Sequence, residues 1–310
     1  MPDSRPLRPG DPRRLGGYRL IGLLGEGGQG VVYLGEPDGN ESGENGPEGN
    51  EQAPAGPFCA IKLLRTHLSG DPKARRYFAK EVAAAQRIDP SYTARIIEAD
   101  VDGETPYIVS EYVDGRSLAD GVRADGPLAG AELDGLAVGT LNALVAIHRA
   151  GVVHRDFKPS NVLLDPDRPR VIDFGIARAM DATMSVSSGV VGTPVYMAPE
   201  QLTGERLTPA VDVFAWAATI VYAGTGAPPF GQDSIPAVMH RILNAEPDIG
   251  GLHGPLRELV GQCLQRNPAQ RPTAQQALAR LAGAAAYGTV PGPVRQVPAP
   301  PGAQAPFPPA

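Results

Sequence analysis

His154-Arg155-Asp156-Phe157-Lys158-Pro159-Ser160-Asn161 decides how this chain is read. An amphipathic segment with helical spacing, Leu133 to Ala150, leads into it, and a short apolar run, Val162 to Leu164, leaves it. One loop therefore carries a carboxylate, a lysine two residues on and an amide five residues on. Phosphoryl transfer needs those three types: an acceptor for a hydroxyl proton, a cation for developing charge and an oxygen ligand for Mg2+. Further along, Asp173-Phe174-Gly175 follows the apolar Val171-Ile172, and its carboxylate can hold a metal that bridges two phosphates. Mg2+ favours such sparse carboxylate sites, completed by water and phosphate. Thr193-Pro-Val-Tyr-Met-Ala198-Pro-Glu200 closes the series.

Toward the N-terminus, Gly25-Glu26-Gly27-Gly28-Gln29-Gly30-Val31-Val32 fits G-x-G-x-x-G-x-V. By itself this is weak, because dinucleotide-binding folds and ordinary turns use similar glycines. In a dinucleotide fingerprint, however, the glycines open a helix, whereas Val31-Val-Tyr-Leu34 is strand chemistry and predicts a hairpin lying over phosphates. Cys59-Ala60-Ile61-Lys62 ends an apolar strand on a lysine, which either snorkels to water or contacts phosphates with a carboxylate to hold it. Glu81 is the one glutamate between Lys62 and Glu98, on a helix expected over 71–88 with Tyr77, Phe78, Val82 and Ala85 as its apolar face. Taken alone, it reads as a solvated helix charge. The order and spacing of all these segments together remove coincidence as an explanation.

Composition agrees with a folded domain carrying linkers. Of 310 residues, 42% are apolar, and the 38 Gly and 33 Pro exceed ordinary usage. Net charge is −6, and the stretch Glu36–Pro57 holds six acidic residues and no basic one, so the remainder is close to neutral. No basic field points to nucleic acid. That acidic stretch reads as a flexible insertion, residues 1–14 as an Arg/Pro-rich flexible arm, and 284–310 as a Pro/Gly/Ala-rich tail or linker. Two cysteines, Cys59 and Cys263, exclude a disulfide framework and favour a reducing, cytosolic setting. Met1–Gly17 lacks the apolar core of a signal peptide. Val213–Gln232 is uncharged but broken by Gly224, Gly226, Pro228 and Pro229, so no membrane span is expected.

On these motifs the sequence resembles the protein kinase superfamily, and most closely the eukaryotic-like serine/threonine kinases of actinobacteria. The similarity runs from about Leu15 to Leu281. It implies an α+β bilobal protein-kinase fold. The N-lobe, about 15–112, would be a five-stranded antiparallel β-sheet with one regulatory helix. The C-lobe, about 114–283, would be mainly α-helical, with ATP between the lobes. Carried over residue by residue, Asp156 resembles the catalytic base and Lys158 the lysine that stabilises the transferring group. Asn161 and Asp173 resemble the Mg2+ ligands (Mn2+ as a substitute). Gly25 to Gly30, with Glu26, Gly28 and Gln29 between, would cover the phosphates, and Val32 and Ala60 would enclose the nucleotide. Lys62 would contact the α/β-phosphates and pair with Glu81. Glu111-Tyr112-Val113 resembles the hinge that bonds adenine, and Ser110 the gatekeeper, small enough to open a back pocket.

The resemblance also implies structural partners. Glu200 should pair with Arg271 in Asn267-Pro-Ala-Gln-Arg271-Pro. Asp212 would brace the catalytic loop, although from sequence alone a helix N-cap after Thr208-Pro209 serves as well. Arg155 would pair with a phosphate on the segment that follows Asp173, where Thr183, Ser185, Ser187 and Ser188 are candidates for autophosphorylation. Thr193 and the Lys158-Pro-Ser-Asn161 form of the loop favour serine/threonine over tyrosine specificity. Phe157 stands where Leu or Val is more usual. Protein substrates, the chain itself among them, are the expected partners, with an N-lobe homodimer open by resemblance. The Pro-rich tail resembles a juxtamembrane linker, so the expected location is cytoplasmic, alone or as the cytoplasmic part of a membrane-tethered kinase. A catalytically dead scaffold would be expected to lack Lys62, Asp156 or Asp173, and a small-molecule phosphotransferase to lack the Ala198-Pro199-Glu200 segment.

Overall fold

Residues 2–27, 30–38, 57–64, 72–100, 103, 105–165, 167–174 and 194–288 are described by a computed structural model of the chain. The β-rich first part folds as a sheet of six strands: β1 (Arg14–Leu15), β2 (Tyr18–Gly27), β3 (Gly30–Pro37), β4 (Cys59–Leu64), β5 (Ile96–Asp100) and β6 (Tyr107–Glu111). Their order is β1-β2-β3-β4-β6-β5, and every neighbouring pair is antiparallel. Side chains alternate faces along a strand, so register decides what each residue meets. Tyr33, Ile61 and Val109 lie opposite one another and bury with Tyr18, Leu20, Leu23, Cys59, Ile97 and Tyr107 on one face. Val32, Lys62 and Ile108 line up on the other face, as do Leu34, Ala60 and Ser110. Helix α1 (Pro72–Ala85) packs there through Phe78, Val82 and Ala85, whereas Tyr77, expected on its apolar face, is exposed.

The expected five strands are six because Gly16, at φ +52°, turns the chain back and lets Arg14 and Leu15 pair with Arg19 and Tyr18. A side chain at Gly16 would also collide with the Tyr107 hydroxyl. The segment before β1 was expected to be a flexible arm, yet Arg5 exchanges two backbone hydrogen bonds with Leu23, at 3.0 and 2.7 Å. Leu7 packs on the buried face of the sheet. The edge of β2 would otherwise present unpaired backbone groups. Likewise the acidic insertion begins later than its composition suggests. Glu36 and Pro37 still belong to β3, and Glu36 and Asp38 pair with Arg19 and Arg14. Residues 39–56 lie outside the described residues.

The second part is mainly helical. Strand β7 (Arg116–Ser117) and helices α2 (Leu118–Asp125) and α3 (Gly130–Arg149) precede the loop 154–161, and strands β8 (Val162–Leu164) and β9 (Pro169–Val171) follow it. Helices Pro199–Thr203, Ala210–Thr225, Ile235–Asn244, Gly254–Cys263 and Ala274–Gly288 complete it. Helix Ala210–Thr225 is apolar almost all round, which marks a helix buried on every side, and Trp216 within it is fully buried with its indole N–H donating to Thr140 Oγ1 at 2.9 Å. Among the described residues α3 alone has the length and apolar composition to cross a bilayer. It lies in this core with Leu136, Leu141, Leu144 and Ile147 buried. The last helix runs to Gly288, past the expected start of the tail, because Ala284-Ala-Ala286 has the highest helix propensity.

Candidate active site

The loop 154–161 is held from below by one carboxylate. Asp212, in the first turn of helix Ala210–Thr225 and fully buried, accepts the backbone N–H of His154 and of Arg155, each at 2.8 Å. It also accepts from His148 Nε2 at 2.8 Å. Pro209 occupies the N-cap of that helix, so Asp212 does not cap it. Arg155 sits at φ +62°, a region that costs non-glycine residues about 1–3 kcal/mol, and the bond to Asp212 holds it there. His154 is fully buried, which keeps its imidazole below its ordinary pKa and neutral. Its Nε2–H donates to the Ile172 carbonyl at 3.1 Å and its Nδ1 accepts the Asp156 N–H at 3.3 Å. Phe157 is buried edge-on to the His154 ring, and Phe174 packs on the same ring. The unusual volume of Phe157 is thus taken up by core packing.

Above this base the polar groups converge. Lys158 Nζ lies 2.8 Å from Asp156 Oδ2, and Asn161 Nδ2 donates to the Asp156 carbonyl at 2.8 Å. The Asn161 carbonyl in turn accepts from Ile172 N–H at 2.9 Å, tying the loop to the strand that delivers Asp173. Asp173, at φ +60°, meets Lys62 Nζ at 3.0 Å across the cleft. Lys62 descends from β4 on the same face as Val32 and Ala60, and Ser110 faces Ala60 with its hydroxyl 3.4 Å from the Ala60 carbonyl. Strands β2 and β3 meet at Gly27 and Gly30, and only glycine fits at position 30, because a Cβ would lie 2.0 Å from the Leu63 carbonyl oxygen.

One expected contact is not formed. Glu81 does not hold Lys62; its Oε1 lies 3.4 Å from Arg155 Nη2, and its Oε2 is buried without a hydrogen-bond partner. A lysine ammonium is a compact point charge, and the left-handed backbone at Asp173 aims a carboxylate at it. Glu81 meanwhile faces a guanidinium on the loop beneath. Arg155 also reaches the Tyr77 hydroxyl at 3.4 Å.

The remaining expected residues divide by place. Glu200 and Arg271 come together with both at most 4% exposed, in two parallel bonds of 2.6 and 2.9 Å. At the hinge, the Glu111 carboxylate turns toward β9, accepting from Arg170 at 2.8 Å, and Val113 is buried. Gly28, Gln29, Gly175, Thr183, Ser185, Ser187, Ser188 and Thr193 lie outside the described residues. Sequence reading did not single out Gln201, which accepts from Ala198 N–H at 2.9 Å and donates to the Arg155 carbonyl at 3.0 Å. Its signal was available: it is the third residue of a helix opened by Pro199, where a glutamine reaches back to the cap.

Comparison with known proteins agrees with this geometry. The protein kinase domain family matches residues 49–281. The probable serine/threonine-protein kinase PkwA of Thermomonospora curvata is 42% identical over 277 residues, covering 89% of this chain and 35% of that protein. AfsK, a serine/threonine-protein kinase of Streptomyces coelicolor, is 39% identical over 274 residues, covering 88% and 32%. The chain spans about a third of the length of these relatives. The kinase domain of Mycobacterium tuberculosis PknI shares the fold, at a TM-score of 0.62 and 22% identity over 88% of this chain and 97% of that one. With its decisive loop inside the matched range and its two-part fold shared with a solved kinase domain, this chain belongs to the protein kinase family, in its serine/threonine branch.

Proposed function

We propose that this chain transfers the γ-phosphoryl group of Mg-ATP to serine and threonine hydroxyls of proteins, itself included. The observation that carries the reading is the 2.8 Å pair of Asp156 and Lys158 in a loop anchored by Asp212. Asp156 orients the acceptor hydroxyl and takes its proton as the oxygen–phosphorus bond forms and the bond to the ADP oxygen breaks. Lys158 offsets charge on the transferring group, and Lys62 contacts the α/β-phosphates. A divalent cation held by Asn161 and Asp173 would supply the positive charge that offsets the phosphates.

The residues present suit that cation. Asn161 spends its Nδ2 on the Asp156 carbonyl, which leaves its amide oxygen as a donor. Asp173 would supply the second oxygen, from the carboxylate that faces Lys62 at 3.0 Å. Two oxygen ligands completed by water and phosphate favour Mg2+, with Mn2+ as a substitute. The Gly25–Gly30 hairpin, Val32, Ala60 and the backbone of Glu111 and Val113 enclose the nucleotide. The same proposal takes residues 15–283 as the catalytic domain, a cytoplasmic setting, and a second copy of the chain as partner and substrate. The phosphosites are Thr183, Ser185, Ser187 and Ser188.

Incubation with labelled ATP and Mg2+, wild type beside Asp156→Asn, tests this. Label on serine and threonine of the wild type, mapped by mass spectrometry and absent from the variant, is the expected result. Equal labelling of both proteins, or label on small alcohols and not on protein, overturns it.

A further inference from the structure

We infer that the N-terminal arm is a strap on the glycine-rich hairpin and that Arg8 is a positioning residue for nucleotide binding. This rests on the proposal that the hairpin covers ATP phosphates. Four observations place the strap. Ser4 packs against Gly22, where a Cβ would lie 2.3 Å from the serine Oγ. Arg5 and Leu23 exchange backbone hydrogen bonds along the edge of β2. Arg8 Nη2 then reaches Glu26 Oε2 at 2.7 Å, beside Gly27 at the end of that strand. Asp11 closes the turn, with Oδ2 accepting the Arg8 N–H at 2.7 Å and Oδ1 accepting the Tyr33 hydroxyl at 3.0 Å.

The arm therefore touches both strands of the hairpin, β2 through Leu23 and Glu26 and β3 through Tyr33. It returns to the sheet at Arg13, whose carbonyl accepts Leu20 N–H at 3.0 Å. Arg8 carries the contact nearest the phosphate-covering turn. Fixing Glu26 from outside the cleft limits how far the hairpin lifts, so the strap lowers the entropy that nucleotide binding must remove. Arg8 touches neither nucleotide nor reacting atoms in this scheme and acts only through Glu26. The pair is partly exposed, at 55% and 32%, which sets the scale of its effect.

The test uses the full chain with Arg8→Ala and Arg8→Lys. Steady-state constants for ATP and amide hydrogen exchange of the hairpin are read together, with Tm as a check on folding. Arg8→Ala should raise KM for ATP about two- to fivefold with kcat nearly unchanged, the scale of an exposed ion pair. It should also speed exchange at Glu26 and Gly27 without lowering Tm. Arg8→Lys should recover most of both effects. Unchanged KM and exchange in Arg8→Ala would overturn the inference, as would a loss that Arg8→Lys shares in full. If the wild type shows no turnover, the proposed function fails, and exchange at Glu26 and Gly27 still decides the strap.

Discussion

The base of the catalytic loop and the cleft above it use charge differently. On the C-lobe side, Arg271 spends all five N–H donors: two on Glu200 and one each on the carbonyls of Gln265, Ala210 and Arg266. Its guanidinium also lies 4.9 Å from the centre of the Phe214 ring. Asp212 likewise accepts three bonds of 2.8 Å while fully buried. Across the cleft, Lys62 meets Asp173 at 3.0 Å and Glu81 meets Arg155 at 3.4 Å, and both pairs keep some solvent exposure. Glu81 leaves one carboxylate oxygen buried and unbonded. Fully bonded pairs lock geometry, because no competing partner can offer more. Partly exposed pairs are easier to exchange, and Asp173 would have to leave Lys62 to hold a metal. Fully bonded charges therefore brace the catalytic loop from beneath, and the exchangeable pairs span the cleft above it.

Arg271→Ala attacks the locked side and should show the largest effect. It leaves the Glu200 carboxylate buried and uncompensated, and breaking such a pair costs about 3–5 kcal/mol. Calorimetry should show Tm falling by about 10 °C, on the scale of roughly 2–4 °C per kcal/mol for a chain of this size. Phosphoryl transfer per folded molecule, measured well below that Tm, should change far less. A variant with wild-type Tm and lost turnover would break the comparison, since it would place the pair in the chemistry.

Glu81→Gln attacks the exchanging side. It removes a buried charge of which half is unbonded, so Tm should hold or rise slightly. Catalysis should fall, because an amide cannot hold the Lys62 ammonium once Asp173 leaves it. A tenfold loss in kcat/KM for ATP is expected, about 1.4 kcal/mol of transition-state stabilisation. Loss of stability together with full activity would mean that Glu81–Arg155 is a structural pair and that the two sides do not differ.

This division was only half legible in the sequence. The spacing of Asp156, Lys158 and Asn161 fixes them in one loop, and strand alternation puts Val32, Ala60 and Lys62 on one face. Both are local consequences of residue order. Glu200 and Arg271 stand 71 residues apart, and resemblance to kinases, not spacing, supplied their partnership. The resemblance gave Glu81 as the partner of Lys62, whereas the structure sets Asp173 against it and Glu81 against Arg155. The choice follows from the left-handed backbone at Asp173, which no residue type announces. The arm misled for a related reason. Its Pro and Arg content argues against a core, yet it needs none, since β2 offers an open edge and Leu7 a single apolar foothold.

A proton provides the finest test of the locked side. His154 is buried against Asp212, Asp156 and Asp173, whose charges favour the imidazolium, but loss of hydration outweighs them and lowers its pKa. As pH falls, the unfolded chain therefore binds this proton before the folded one does, and the difference lowers stability. The contribution is fully present above the ordinary histidine value of about 6.5 and is lost as pH falls through the lowered one. One proton limits the slope to about 1.4 kcal/mol per pH unit. Denaturant unfolding of wild type and His154→Asn between pH 7.5 and 5 isolates it. The asparagine amide oxygen can still accept the Asp156 N–H in place of Nδ1, but the bond to the Ile172 carbonyl is lost, so the variant should start less stable and change less across the range. Parallel curves would show that His154 accepts its proton without leaving the core, and that the loop Asp212 holds is less rigid than its two short bonds to that loop require.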